Sequence, residues 1–239
     1  MDLTDASFTS SAGDQLPEDD SSRYDELAYG DYILRTGASL APWEDVFSRY
    51  LFESRFRGRR PILELGPGRC SFTRQAPDDI IAVDNAPELV NKFCAMGLQV
   101  HLGSAYEIPF PDGYFSAAYS CWLLEHLDDP LRCIRDVYRV LRTGGYMYMI
   151  VPSADSLLRG FYDDYTHVRP FTPASLRQLS EDAGFTRIRV EELFWTRGLR
   201  RLIPLFGKDR VVRSLGIADR FVRRANIRNR YNLCLEAWK

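Results

Sequence analysis

The chain has 239 residues, enough for one domain with additions and a core that needs neither disulfide nor metal to hold it. Hydrophobic residues make up 45% and charged residues 27%, and 31 Lys and Arg against 33 Asp and Glu leave a formal charge of -2, so no global basicity argues for nucleic acid. No apolar run is long enough to span a membrane, and five cysteines without a CxxC pair exclude a disulfide framework and a Cys-rich zinc site.

Residues 1–22 are rich in Ser, Asp and Gly and read as an acidic flexible tail. The N-terminus has no apolar h-region and is not a signal peptide, so reduced thiols and a cytoplasmic location are expected. Residues 23–58 form an aromatic-rich cap. Within it Trp43, Phe47, Tyr50 and Leu51 stand at helical spacing and predict a helix around 41–56. Strands follow at 61–65, 80–84, 99–102, 114–120, 146–151, 188–194 and 231–238. A helix runs from Leu89 to Met96. Another starts at Asp129-Pro130, carries Leu131, Ile134, Val137, Tyr138 and Leu141 on one side, and stops at Thr143-Gly144-Gly145. Thr172-Pro173 caps a further helix, with Leu176 and Leu179 inward and Gly184 at its end. Strand–helix alternation with apolar strands means an α/β fold with a mostly parallel sheet. The core is expected over 59–196, closed by a last strand at 231–239.

The chemistry gathers at Glu64-Leu65-Gly66-Pro67-Gly68-Arg69-Cys70-Ser71. Two glycines after a strand permit a tight turn and close approach of a ligand to the backbone. A dinucleotide fingerprint would place a third Gly where Ser71 stands. Glu64 sits inside the strand, where a carboxylate is costly without a partner. Asp84 follows it by twenty residues, at the end of the second strand, as a βαβ unit requires; there it could accept from two ribose hydroxyls. The plainer reading is a structural turn with two surface acids.

Ile62–Gly68 resembles the first motif of class I S-adenosylmethionine-dependent methyltransferases of the small-molecule type, and Ile81–Asp84 the second. Gly103–Phe115 resembles the third, Ser120–Leu127 the segment after strand four, and Leu141–Gly145 the turn before strand five. The resemblance covers about residues 60–195 in the right order. It implies a Rossmann-like seven-stranded sheet with helices on both faces and an antiparallel last strand. It also implies S-adenosylmethionine as cofactor and S-adenosylhomocysteine as product. Gly66, Pro67 and Gly68 would pass the methionine part, with Glu64 shaping that pocket. Asp84 would hold the ribose, Asn85 would lie beside the adenine, Ser104 and Ala105 would border its edge, and Ser120 and Cys121 would close the floor. Ser104 and Ser116 depart from the family's commonest pattern, which has Asp at both places.

Three histidines are available, His101, His126 and His167. His167 lies in a polar, Tyr-rich segment with Asp163, Tyr165 and Arg169, in the region that faces the acceptor in the family. His167 is the first candidate for a catalytic role and His126, in Leu-Leu-Glu-His-Leu, the second; Asp163, Tyr165 and Arg169 are candidate substrate contacts. The alternatives are that His167 and Arg169 brace the following helix and that the backbone satisfies His126. His101 reads as structural. Asp163, His167 and His126 show no metal spacing, and no metal is expected.

Residues 197–230 carry eleven bases and two acids. This basic helical insertion covers the acceptor side in one reading. In a second it is an amphipathic surface for an anionic membrane or a lipid-linked substrate, making the protein membrane-peripheral. A phosphate or nucleic-acid contact is the least favoured, since no RNA-binding module is recognisable. The function expected is methyl transfer to a hydroxyl of a small molecule, sugar or lipid-linked glycan. The rivals are a catalytically silent cofactor-binding scaffold and a nucleotide-cofactor oxidoreductase.

Overall fold

The computed structural model describes residues 42–192, 199–225 and 232–239. The acidic tail and the first part of the aromatic cap lie outside the described residues, as do Leu193, Phe194 and Tyr231 at the ends of two expected strands. Seven strands form one sheet: β1 Ile62–Leu65, β2 Ile80–Asp84, β3 Val100–Leu102, β4 Phe115–Cys121, β5 Leu141–Pro152, β6 Arg187–Glu192 and β7 Asn232–Trp238. Their order is β3-β2-β1-β4-β5-β7-β6. The first five pair in parallel, and β7 runs antiparallel to both β5 and β6. The sheet is therefore mostly parallel, with the last strand reversed, as expected.

β1 and β2 are buried along their whole length, which is why they read as apolar runs broken only by Glu64 and Asp84. One sheet face packs on α3 Pro130–Val140 and α4 Pro173–Asp182. Ile134 and Val137 of the expected stripe are fully buried, with Cys133 and Val140 beside them, while Leu131 and Tyr138 pack partly buried against the same core. Asp129 caps this helix by accepting from the Arg132 amide at 3.0 Å. Thr172 caps α4 through a reciprocal pair with Ser175. On the other sheet face Phe56, Phe72, Tyr119, Tyr146 and Tyr148 pack together, with Phe56 and Phe72 4.9 Å apart, edge to face.

Two expectations about the connections change. The glycine turn does not end α3. The helix already stops at Val140, because Leu141 turns extended and pairs with Phe115; residues 142–145 then loop out before Tyr146 pairs with Ala117. That loop is held by the last residue, since Gly144 N donates to Lys239 O at 2.9 Å and Lys239 N to Gly145 O at 3.0 Å. The crossover between β1 and β2 contains no α-helix either. It is a chain of turns with one 3-10 turn, Thr73–Gln75. Pro77 interrupts the segment, and the fourteen residues between the strands leave no room for a helix plus two loops.

α1 Pro42–Leu51 continues into a π-helical turn, Phe52–Phe56. The basic insertion forms two helices, α5 Leu199–Phe206 and α6 Lys208–Ala225. Its apolar side is covered only in part, since Leu205, Phe206 and Ile217 are exposed. Ile203, Val211 and Val212 bury against Val46 of α1, beside Trp43 and Tyr50. Ion pairs join Arg49 to Asp209 at 2.6 Å and Lys208 to Asp45 across the same contact. α2 Pro87–Ala95 covers β2 and β3, with Leu89 and Phe93 inward. Among the described residues, no helix is long and apolar enough to cross a membrane.

Candidate active site

The carboxyl ends of β1, β2 and β4 lie side by side at the point where strand order reverses, with β1 between β2 and β4. In open α/β sheets this is where a crevice forms. Gly66 leaves β1 with φ +60 and Gly68 follows at φ +51. A Cβ on Gly66 would stand 3.1 Å from Leu123 Cδ1, so this glycine is required both for its backbone conformation and for the close approach of the segment after β4. Cys70 also adopts positive φ, at 55°, a conformation costly for a side chain with a Cβ.

Glu64 is 4% exposed. Its Oε2 accepts from the Thr73 amide at 2.9 Å and from the Thr73 hydroxyl. Burial pushes its carboxyl up to about 8 despite these two donors, and the neighbouring Asp84 charge adds to the rise. Asp84 is 7% exposed and accepts from the Ala86 amide at 2.9 Å; burial raises its carboxyl to about 6. Neither acid is the surface group of the plainer reading. Two buried acids flanking a glycine cradle fit a cofactor that brings positive charge and ribose hydroxyls. Ser120 joins β4 to β1 beside them, donating to the Leu65 carbonyl at 2.9 Å, and Cys121 ends β4 half-buried.

The residues that the resemblance sets beside adenine lie after β2 and after β3. Asn85 is exposed, and Ser104 and Ala105 are half-buried. Ser104 Oγ accepts from the Tyr106 amide at 3.1 Å, so it shapes the turn. Arg139 pins this segment to α3: it donates to the Ile108 and Phe110 carbonyls at 2.9 Å and to Asp136 at 2.6 Å. The Ser116 departure has a structural reason. Ser116 is buried at the opposite end of β4 and donates to the Pro61 carbonyl at 3.0 Å, away from the cofactor end.

α1 roofs the glycine loop. Ser48 donates to Ser71 Oγ at 2.9 Å, Gln75 donates to Asp45 at 3.0 Å, and Arg69 pairs with Glu44 at 3.6 Å. Because α5 and α6 pack on α1, the basic insertion is coupled to the roof of the cofactor loop.

Two residues after Leu123, the chain brings three groups together that the sequence keeps 42 residues apart. Glu125, His126 and His167 place their ligating atoms within 4.8 Å of one another. His126 and His167 rings lie 4.6 Å apart. The two segments are stitched by the Glu125 carbonyl, which accepts from the Val168 amide at 2.9 Å and from the Arg169 amide at 3.3 Å. His167 Nδ1 donates to the Phe161 carbonyl at 2.6 Å, which leaves the lone pair on Nε2. His126 Nδ1 meets the Thr166 hydroxyl at 3.0 Å. Burial lowers His126 to about 4, and the neighbouring His167 lowers it further, so it is neutral at pH 7. Glu125 is fully buried and lifted to about 8 by burial.

The substrate candidates separate from this group. Asp163 and Tyr165 are exposed, and Arg169 donates to the Asp128 carbonyl at 2.6 Å, which braces the loop. His101 is exposed on β3 and packs edge-on against Phe110. Sequence reasoning missed Glu125 and Trp122. Glu125 was visible only as an acid amid apolar neighbours beside His126. Trp122 follows β4 at φ 57° with 45% exposure, and its indole donates to Asn232 at 3.2 Å. Nothing local marks a Trp for left-handed backbone.

A family model described as a methyltransferase domain matches residues 63–149, the stretch that holds β1 through most of β5. Over that stretch the chain resembles a methyltransferase domain. Its fold is shared with a SAM-dependent methyltransferase of Archaeoglobus fulgidus, at 22% identity and TM-score 0.59, covering 82% of this chain and 94% of that one. The chain is also similar to 2-methyl-6-phytyl-1,4-hydroquinone methyltransferase 2 of Oryza sativa subsp. japonica, 30% identical over 164 residues, 66% of this chain and 46% of the rice protein. An uncharacterized methyltransferase of Mycobacterium tuberculosis H37Rv is 35% identical over 149 residues, 59% of each chain. The chain thus spans about half the length of the curated relatives it matches.

Proposed function

We propose that the protein moves the methyl group of S-adenosylmethionine to an oxygen of a small aromatic acceptor. The observation that carries this reading is the placement of Gly66, Gly68, Glu64 and Asp84 at adjacent strand ends, under a roof made by α1. When bound, S-adenosylmethionine supplies a methyl carbon made electrophilic by its sulfonium. The chain's own part is to hold donor and acceptor in line and keep water out, which supplies up to roughly 7–11 kcal/mol. Glu64 and Asp84 hold the positive and ribose ends. His167 Nε2 takes the proton that the acceptor hydroxyl loses as its oxygen bonds to the methyl carbon, and neutral His126 stands beside it.

An aromatic hydroxyl is favoured over a sugar by the hydroquinone named for the rice relative and by Trp122, Tyr162 and Tyr165, which are exposed on the loops after β4 and β5. Ile203, Val211 and Val212 of the basic insertion pack on α1, which supports a role as a cover, while exposed Leu205, Phe206 and Ile217 support the second reading, a membrane-facing surface. Calorimetric titration with S-adenosylmethionine and S-adenosylhomocysteine tests the cofactor. Micromolar binding, lost in Asp84→Ala, is expected. No binding of either ligand by the wild type would overturn the reading. His167→Ala should keep cofactor affinity and lose turnover of hydroquinone or catechol acceptors; unchanged turnover would remove His167 from the mechanism.

A further inference from the structure

We infer that Glu125, His126 and His167 form a site for a divalent transition-metal cation beside the methyl-transfer centre. The argument begins with Glu125. Neither oxygen of its buried carboxylate has a hydrogen-bond partner. The protein treats its other two deeply buried site acids differently: Glu64 has Thr73 and Asp84 has the Ala86 amide. A buried carboxylate left alone is expensive, and in proteins such groups are paired or coordinate metals.

The neighbours of Glu125 are ligands. Two imidazoles lie with the carboxylate inside a sphere small enough for one ion, all ligating atoms being within 4.8 Å of one another. Two nitrogens and one oxygen are a set used by zinc and by ferrous iron, and three protein ligands leave positions open for an exogenous oxygen. The outer contacts match those of metal-bound histidines, whose second nitrogen donates to a carbonyl or hydroxyl. His167 Nδ1 donates to the Phe161 carbonyl at 2.6 Å, and His126 Nδ1 faces Thr166 Oγ1 at 3.0 Å, while that hydroxyl donates to Asp164 at 2.5 Å. Both lone pairs are thereby set on Nε2. Glu125 O bonds to the Val168 and Arg169 amides, so the two ligand-bearing segments are already fixed together. Spacing alone gave no metal signature, because two ligands are adjacent in sequence and the third arrives from the loop after β5.

The inference rests on the proposed function and alters one step of it: with its Nε2 on an ion, His167 no longer takes the proton, and the ion would bind the acceptor hydroxyl and favour loss of its proton to solvent. It does not depend on that function for its test. The full chain is stripped with EDTA, dialysed separately against Zn2+, Co2+ and Mn2+, and its metal content measured by mass spectrometry, with S-adenosylmethionine titrations on the same samples. About one ion per chain is expected for at least one metal, with Co2+ giving a d–d spectrum that lacks a thiolate band. Glu125→Gln and His167→Ala should lower metal affinity ~10–100-fold, the range for altered ligand shells. Wild-type protein that holds less than a tenth of an ion per chain with all three metals would overturn the inference. So would equal loading of both variants that still bind S-adenosylmethionine. Metal binding without cofactor binding would instead strike the proposed function and leave this site standing.

Discussion

Replacing Glu64 by Gln separates the stability of the fold from the affinity of the cofactor site. Burial lifts the Glu64 carboxyl from its ordinary 4.5 to about 8, so the folded chain keeps this proton to higher pH than the unfolded chain does. The stability contributed by the group is therefore fully present below about 4.5 and is lost as pH rises through about 8. At about 1.4 kcal/mol per pH unit, the full window corresponds to about 5 kcal/mol. The amide of Glu64→Gln has no proton to lose, and its oxygen can still accept from the Thr73 amide and hydroxyl. Asp84 is raised by burial in both proteins, and Glu64→Gln also removes its repulsion with a charged Glu64, which adds to the variant's gain at high pH. Urea denaturation without ligand, at pH 5, 6, 7 and 8, should show the variant gaining steadily on the wild type, by about 1 kcal/mol or more per pH unit through the middle of the range. S-adenosylmethionine should bind the variant about tenfold more weakly, as expected when a charge-assisted contact becomes neutral. A stability difference that stays constant from pH 5 to 8 would refute the assignment of the cost to a buried charge.

Gly66→Ala must place a Cβ 3.1 Å from Leu123 at φ +60, so a loss of about 1–2 kcal/mol from the backbone alone and undetectable cofactor binding are expected; adding Leu123→Ala should restore only the part due to crowding. Arg139→Lys should fail to replace the arginine, since one ammonium cannot serve Asp136 and the Ile108 and Phe110 carbonyls together; hydrogen exchange at residues 104–113 should rise in both Arg139→Lys and Arg139→Ala. Val211→Asp puts a charge into the α1–α6 contact and should expose the insertion to protease while leaving the sheet folded, read by limited proteolysis and circular dichroism. Asp129→Ala should cost about 1 kcal/mol in thermal unfolding through the lost cap on α3.

Much of this protein was legible from local pattern. β1 and β2 are short apolar runs bounded by turn residues, and both were placed to within a residue. The caps at Asp129 and Thr172 follow from side chains that compete for their own helix's amides. The glycine cradle and Asp84 were legible because a ligand that approaches backbone demands particular residue types at fixed offsets from a strand. What the sequence could not supply depends on distance in the fold. The end of α3 was decided by Leu141 pairing with Phe115, and the loop behind it by Lys239, a partner 95 residues downstream. The helix expected after the glycine loop gave way to turns because the chain between two paired strands is too short. Ser116 read as a departure from the family pattern, and its burial at the far end of β4, bonded to the Pro61 carbonyl, could be seen only in the fold. The basic insertion read either as a cover or as an amphipathic surface, and only the fold shows that Ile203, Val211 and Val212 meet α1 while Leu205, Phe206 and Ile217 stay exposed. Glu125 is the clearest case: its sequence neighbours mark it as a residue on a half-buried turn. Only the arrival of His167 from the loop after β5 gives a buried carboxylate two imidazoles to act with, because charge and burial are settled by which segments meet.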